Sequence, residues 1–407
     1  MREEIKELRR QIAASLEGTG EADEEELLRR IDAAIAHLAR QRTLSLREKT
    51  EVRKQLRDSF RGMDILQEAL EDPRVTEVMV NGPGRIFLER DREIVLWDRC
   101  FEERETLEDV IQVMAARVNR MVNTSSPIAD LRLPDGSRVN IVLPPAAPEG
   151  PVLTIRKFAG EPITMERMTA SGTISPGGAA FLRSAVLAGC NIFISGGTSS
   201  GKTTFLNALS AFIPPEERVI TIEDSLELQL QNLPNLVRLE TRDANLEGEH
   251  RITIRDLIRT ALRMRPNRIV VGEVRGEEAL DMLQAMNTGH RGSLSTGHAN
   301  SARDMLSRLE TMVLMGGELP FAAVRAQIAS AIDLIVHLGR LEDRQRRVLA
   351  IEEVTGIENG EIRTGTLFCY ERDRGLVPTG RRPENIGPWL ERTGAPPDLS
   401  EGGLSAL

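Results

Sequence analysis

Apolar residues recur every three or four positions over the first sixty residues. Ile5, Leu8, Ile12 and Leu16 fall on one helical face, and Leu27, Leu28, Ile31, Ile35 and Leu38 repeat the pattern over residues 24–40. A third helix is expected over residues 46–60. The period then changes. Val75-Thr76-Glu77-Val78-Met79-Val80 alternates in part and is rich in β-branched residues, Asn81-Gly82-Pro83-Gly84 is a turn cluster, and Arg85-Ile86-Phe87-Leu88-Glu89 reads as the next strand. A helix near 106–119, a turn at Leu133-Pro134-Asp135-Gly136-Ser137 and a strand at Val152-Leu153-Thr154-Ile155-Arg156 complete a small α+β pattern. Gly160, Pro162 and Gly172 mark a linker, with Pro176 just beyond it. From there, short apolar runs at 192–194, 219–222, 269–271, 293–295, 334–336 and 348–351 alternate with helical patterns, which predicts a mostly parallel sheet covered by helices on both faces. The expected organisation is an N-terminal helical bundle (1–62), an α+β domain (63–158), a linker (159–175), an α/β domain (176–355) and a C-terminal extension (356–407).

Composition narrows this picture only slightly. In 407 residues, 40% hydrophobic and 28% charged content describes an ordinary globular chain. A net charge of −9 and 3% aromatics argue against a dedicated nucleic-acid surface and against base-stacking platforms. Cys100, Cys190 and Cys369 are too widely spaced for a zinc site or disulfide framework, which favours a reducing cytoplasm. The charged start Met1-Arg2-Glu3-Glu4-Ile5-Lys6 lacks a signal peptide's apolar core, and no run reaches the ~20 apolar residues of a membrane span. Any membrane role is expected to be peripheral and carried by a partner.

Chemistry enters at Gly196-Gly197-Thr198-Ser199-Ser200-Gly201-Lys202-Thr203, which fits G-x-x-x-x-G-K-[ST]. An apolar strand precedes it and a helix containing Thr204 follows. Glycines let successive N–H groups curl round a polyphosphate, and the helix adds its positive end. Lys202 offers a cation to the β- and γ-phosphates, and Thr203 offers a hydroxyl to Mg²⁺. Binding alone does not hydrolyse; a carboxylate must orient water. Arg268-Ile269-Val270-Val271-Gly272-Glu273 is an apolar strand ending in one, so Glu273 is the candidate base. Val219-Ile220-Thr221-Ile222-Glu223-Asp224 repeats the design, with Glu223 or Asp224 placed to hold Mg²⁺ through water. Thr288-Gly289-His290-Arg291-Gly292-Ser293-Leu294-Ser295-Thr296-Gly297-His298 sets two histidines among small residues, where an imidazole can approach a ligand closely and report its state.

Together these motifs resemble the secretion ATPase superfamily of type II and type IV secretion and pilus assembly, and especially its tight-adherence pilus branch. The Walker A loop lies at 196–203, an aspartate box at 221–228, an atypical Walker B at 269–273 and a histidine box at 289–298. Asp72-Pro73-Arg74-Val75-Thr76-Glu77 and Leu133-Pro134-Asp135-Gly136-Ser137-Arg138-Val139-Asn140 extend the likeness towards the N-terminus. The resemblance implies a RecA-like ATPase fold, ATP and Mg²⁺ as cofactors, and phosphate binding over 196–204 by Gly196, Gly197, Thr198, Ser199, Ser200, Gly201, Lys202, Thr203 and Thr204. It implies Glu273 as the catalytic carboxylate, Mg²⁺ near Thr203, Glu223 and Asp224, and γ-phosphate sensing at His298, with His290 a further nucleotide-binding candidate. It also implies arginines that reach the nucleotide from the α+β domain; Arg138 and Arg156 fit, and Arg242 is a further candidate. Relatives act as homo-hexamers on an inner-membrane platform protein, without direct nucleic-acid contact. Ser199 departs from the family pattern, in which glycine is common at that position.

A RecA-like nucleic-acid-dependent ATPase is the principal alternative, disfavoured by the acidic charge. No Asn-Lys-x-Asp element supports a GTPase, and no Leu-Ser-Gly-Gly-Gln element supports an ABC-type ATPase. A nucleotide-binding scaffold without activity is disfavoured by the intact Lys202, Thr203 and Glu273.

Overall fold

A computed structural model describes residues 2–16, 24–41, 43–61, 63–91, 93–118, 120–158, 162–242, 251–343 and 345–393. The chain forms two compact units, Met1–Gly160 and Glu161–Leu407. The first opens with α1 (Arg2–Leu16), α2 (Glu24–Gln41) and α3 (Leu46–Arg61). Leu8, Ile12, Leu27, Ile31, Ile35, Leu38, Val52 and Leu56 share one buried apolar cluster, so the 3.6-residue period seals a small bundle. After α4 (Leu66–Glu71) come β1 (Val75–Asn81), β2 (Ile86–Arg90), β3 (Glu93–Leu96), α5 (Arg104–Arg117), β4 (Ile128–Arg132), β5 (Arg138–Val142) and β6 (Val152–Arg156). The strands make an antiparallel sheet in the order β3-β2-β1-β6-β5-β4. Val78, Val80, Leu131, Val139, Ile141, Leu153 and Ile155 turn inward against α4 and α5, and the polar residues between them turn out.

The second unit contains α6 (Met165–Ala170), α7 (Pro176–Leu187), β7 (Ile192–Gly196), α8 (Lys202–Ser210), β8 (Val219–Glu223), β9 (Leu236–Glu240), α9 (Ile254–Ala261), β10 (Arg268–Val271), α10 (Glu278–Asn287), β11 (Leu294–His298), α11 (Ala302–Gly316) and α12 (Phe321–Ala331). It closes with β12 (Leu334–Arg340), β13 (Arg346–Glu358), β14 (Glu361–Glu371), β15 (Gly375–Pro378) and α13 (Gly387–Glu391). The sheet order is β15-β14-β13-β12-β7-β11-β10-β8-β9. From β12 to β9 every pairing is parallel, while β13, β14 and β15 add an antiparallel wing.

Strands β7, β8 and β10 are buried at every position because both faces of the sheet are covered. Ile192 and Ile194 join the cluster with Phe181, Leu182, Phe205 and Leu206. Phe193, between them, joins the opposite cluster with Ile258, Leu283, Met305 and Ile328.

Three details differ from the sequence expectation. The segment read as a linker contains α6, capped by the Thr164 side chain on the Arg167 N–H. The boundary expected at 355 falls inside β13, and the sheet continues to Pro378. Strand β9 was not foreseen; it is the far edge strand, half-exposed along its length, so its apolar run is short.

Candidate functional site

Strand β7 ends at Gly196, in the middle of the nine-stranded sheet, at the carboxyl ends of its parallel strands, where such sheets present their ligand crevice. The chain must then turn sharply into α8. Gly196 permits this: a Cβ there would stand 2.5 Å from the Leu338 carbonyl oxygen and 2.6 Å from Ser200 Oγ. The turn is completed by two residues with positive φ, Ser199 at 59° and Gly201 at 93°. Serine pays a steric cost of roughly 1 kcal/mol in that region that glycine does not. Lys202 and Thr203 begin α8, with Gly201 as the N-cap and its carbonyl accepting the Phe205 N–H at 2.8 Å.

Lys202 is buried. Its Nζ donates to the carbonyls of Gly196 (3.1 Å) and Gly197 (3.0 Å) and lies 3.3 Å from His298 Nδ1. Burial lowers its pKa, while the Glu273 charge opposes that shift. His298 ends β11, in register with Gly196 of β7, so strand pairing alone brings it to the loop. Its Nε2 is 2.9 Å from Glu273 Oε1, within ion-pair reach but off the line of a hydrogen bond. Burial, and then the Lys202 charge, lower the His298 pKa. A neutral imidazole protonated on Nε2 suits both neighbours, accepting from Lys202 and facing the carboxylate.

Glu273 lies just beyond β10. The turn that carries it is tied to β11 twice: Thr296 Oγ1 donates to the Gly272 carbonyl at 2.7 Å, and the Val274 N–H donates to the Thr296 carbonyl at 2.9 Å. Arg275 donates to Glu273 Oε2 at 2.7 Å. Glu273 Oε1 is a buried oxygen without a hydrogen-bond partner.

Glu223, at the end of β8, is buried, and burial raises its pKa. One of its oxygens, Oε2, accepts the N–H groups of Glu227 and Leu228, both at 2.7 Å. The other, Oε1, is buried and unpartnered. Gly272 crosses close by; a Cβ there would stand 3.0 Å from Glu223 Cγ. Asp224 also has a raised pKa through burial, and its carbonyl accepts from Thr241 Oγ1 at 3.2 Å. Among the described residues no cluster of three or more His, Cys, Asp or Glu side chains could cage a metal. Mg²⁺ takes few protein ligands and completes its shell with water and phosphate oxygens, and the orphaned Glu223 Oε1 fits an outer partner of such an ion.

A cleft of about 470 Å³ opens beside this centre, lined by Gly197, Thr198, His298, Asn300, Asp304 and Arg308 among others. Loop residues 196–204, Lys202, Glu273 and His298 therefore converge, with Glu223 against Gly272.

The structure does not bring one other candidate there. His290 precedes β11, at the opposite edge of the sheet, a strand length of roughly 16 Å from His298. Its Nδ1 sits 3.3 Å from the Ala285 carbonyl. Arg242 pairs by its backbone with Ile252, bracketing a segment that lies outside the described residues. Arg138 and Arg156 belong to the first unit. They are direct cross-strand partners on β5 and β6, and β4 places Arg132 opposite Arg138. Three arginines thus occupy one rung across three strands, with Glu77 on β1 at its end. Leu131, Val139 and Ile155, which alternate with them, are buried. Like charges directly opposite one another oppose strand pairing. Sequence reasoning missed Arg132 because its partner lies six residues away across a turn; the alternation on both sides of Asp135-Gly136 was the available signal. It also missed Arg346, whose Nε donates to the Ser199 carbonyl at 2.9 Å.

A family model described as type II/IV secretion system protein matches residues 61–373. The conjugal transfer protein TrbB of Rhizobium radiobacter is 35% identical over 332 residues, covering 81% of this chain and 98% of that protein. The type IV secretion system protein PtlH of Bordetella pertussis is 37% identical over 306 residues, covering 68% and 89%. Among solved structures, the Legionella pneumophila ATPase DotB aligns with a TM-score of 0.52 at 21% identity, covering 73% of this chain and 81% of that one, a likeness of fold.

Proposed function

The chain belongs to the type II/IV secretion system protein family, and from that membership we propose that it is an ATPase motor that hydrolyses ATP, with Mg²⁺, to drive a secretion or pilus-assembly machine. The observation that carries this reading is the continuous line Lys202, His298, Glu273, Arg275 at the mouth of the phosphate loop. Lys202 rests on two neutral carbonyls, and a polyphosphate offers charge-assisted acceptors of about twice the strength. Its transfer to the β- and γ-phosphates frees His298 Nδ1, so the imidazole registers whether the terminal phosphate is present. Glu273 keeps one oxygen anchored by Arg275 and one buried beside His298 Nε2 without a hydrogen bond, the arrangement that suits orienting a water molecule. When bound, Mg²⁺ supplies neutralisation of phosphate charge; Thr203, Glu223 and Asp224 are the residues to hold it, directly or through water.

The Arg132, Arg138 and Arg156 rung is the source of transition-state cations in this reading. A guanidinium that reaches the phosphates only on closure links hydrolysis to motion. The working form is a homo-hexamer docked on an inner-membrane platform. Among the described residues no helix is long and apolar enough to cross a membrane. The tight-adherence branch is supported by the motif resemblance, while relatives named for conjugal transfer and type IV secretion favour an export machine equally.

The test is steady-state ATPase activity and oligomeric mass of the purified protein, with and without nucleotide, beside Lys202→Ala. Magnesium-dependent turnover and a six-fold mass are expected in the wild type, with turnover abolished in the variant. Equal turnover in both proteins would remove the phosphate loop from the reaction. Activity that appears only with duplex DNA would favour a nucleic-acid motor.

A further inference from the structure

Arg346 opens β13, far along the chain from the phosphate loop, yet it touches the loop twice. Its Nε donates to the Ser199 carbonyl at 2.9 Å, and its Cδ lies 3.1 Å from where a Cβ on Gly201 would stand. These contacts bracket the tightest part of the turn, the two positive-φ residues Ser199 and Gly201. The neighbouring strand contributes as well: β12 runs parallel to β7, and its Leu338 carbonyl closes over Gly196. The hairpin of β12 and β13 therefore covers the loop along one side.

We propose that Arg346 is a positioning residue for nucleotide, a strap from the C-terminal hairpin that holds the left-handed turn of the phosphate loop ready for polyphosphate. This rests on reading 196–203 as a phosphate loop. Serine adopts positive φ only when its surroundings compel it, and Arg346 supplies the compulsion through the carbonyl oxygen. A trans peptide group is planar, so fixing the Ser199 carbonyl also fixes the Ser200 N–H, which points the opposite way within that plane. That N–H makes only a long bond of 3.3 Å to the Gly197 carbonyl, which leaves it easily surrendered to a phosphate oxygen. A loop held in shape before binding loses less freedom on binding, so the strap acts on affinity rather than on the chemical step.

The experiment is calorimetric titration of the full chain with Mg·ADP, with melting temperature recorded for each variant. Arg346→Ala should weaken binding about tenfold with an unchanged melting temperature, and in turnover should raise KM while leaving kcat within about twofold. Arg346→Lys keeps the charge without the Nε donor and should also weaken binding; it replaces Arg346→Ala as the test if the alanine variant does not fold. Because Arg346 acts through Ser199, the effects of Arg346→Ala and Ser199→Gly on affinity should be non-additive. Full affinity in Arg346→Lys, or strict additivity with Ser199→Gly, overturns the strap and leaves charge attraction. Wild-type protein that fails to bind Mg·ADP overturns the phosphate-loop reading itself, and the strap with it.

Discussion

Asp333 is a carboxyl that folding keeps out of water. It stands just before β12, at the end of the parallel strands opposite the phosphate loop, and burial pushes its pKa up to about 6 from 3.8, although the Asn191 N–H donates to it at 2.7 Å. The folded state therefore holds a proton between about pH 4 and pH 6 that the unfolded chain has already released. Binding more protons when folded means that stability falls as pH rises through this window and is level above it. Asp333→Asn keeps an acceptor for Asn191 without the charge. It should raise stability at pH 7–8 by on the order of 1–3 kcal/mol, with the gain vanishing below about pH 4. Urea melts across pH read this directly; a gain independent of pH would contradict the burial argument. At the phosphate loop, single residues were legible in the sequence because their spacing is tied to chemistry. Gly196, Lys202, Glu273 and His298 belong to motifs whose strands pair in parallel register, so strand ends sufficed to bring them together. His290 shows where that reasoning failed: membership of the histidine box made it a nucleotide-binding candidate, whereas β11 separates it from His298 by its whole length.

Elements were legible where both sheet faces are covered and only partly so in the antiparallel wing. Strand β13 was caught only in its apolar run at 348–351 and β14 was not seen, because both mix polar and apolar positions along their length. A stronger signal lay between them, since Asn359 and Gly360 both have positive φ, at 53° and 79°, the signature of a tight hairpin turn. The wing is fastened by Glu353, fully buried on β13. Its two oxygens accept the N–H groups of Glu384 (2.7 Å), Asn385 (2.7 Å) and Ile386 (3.0 Å), which seats Ile386 and Leu390 of the α13 segment in the core. Glu353→Ala strands three amides and should cost at least about 3 kcal/mol. Limited proteolysis should then cut near 380–390 before the rest of the second unit; uniform resistance there would show that the carboxylate is dispensable.

On the scale of the whole molecule, each unit has its own apolar core and its own sheet, and the division at 160 follows the break in hydrophobic pattern. The arginine rung of the first unit sets like charges opposite one another on facing strands. Replacing Arg138 or Arg156 by Ala should leave that unit's stability within about 0.5 kcal/mol or raise it slightly, because like charges are removed from facing strands. Turnover should nevertheless fall by about a hundredfold or more. Unchanged turnover would make the rung a surface feature, and a melted unit would make it structural.

The central claim is that Glu273 aims water at a phosphate held by the loop of Lys202. Glu273→Gln keeps the shape and removes the charge, so single-turnover hydrolysis and Mg·ATP affinity should be measured together on that variant. Affinity within about threefold of wild type with hydrolysis slowed at least about a hundredfold is the expected result. Hydrolysis at the wild-type rate would assign the reaction to another carboxylate.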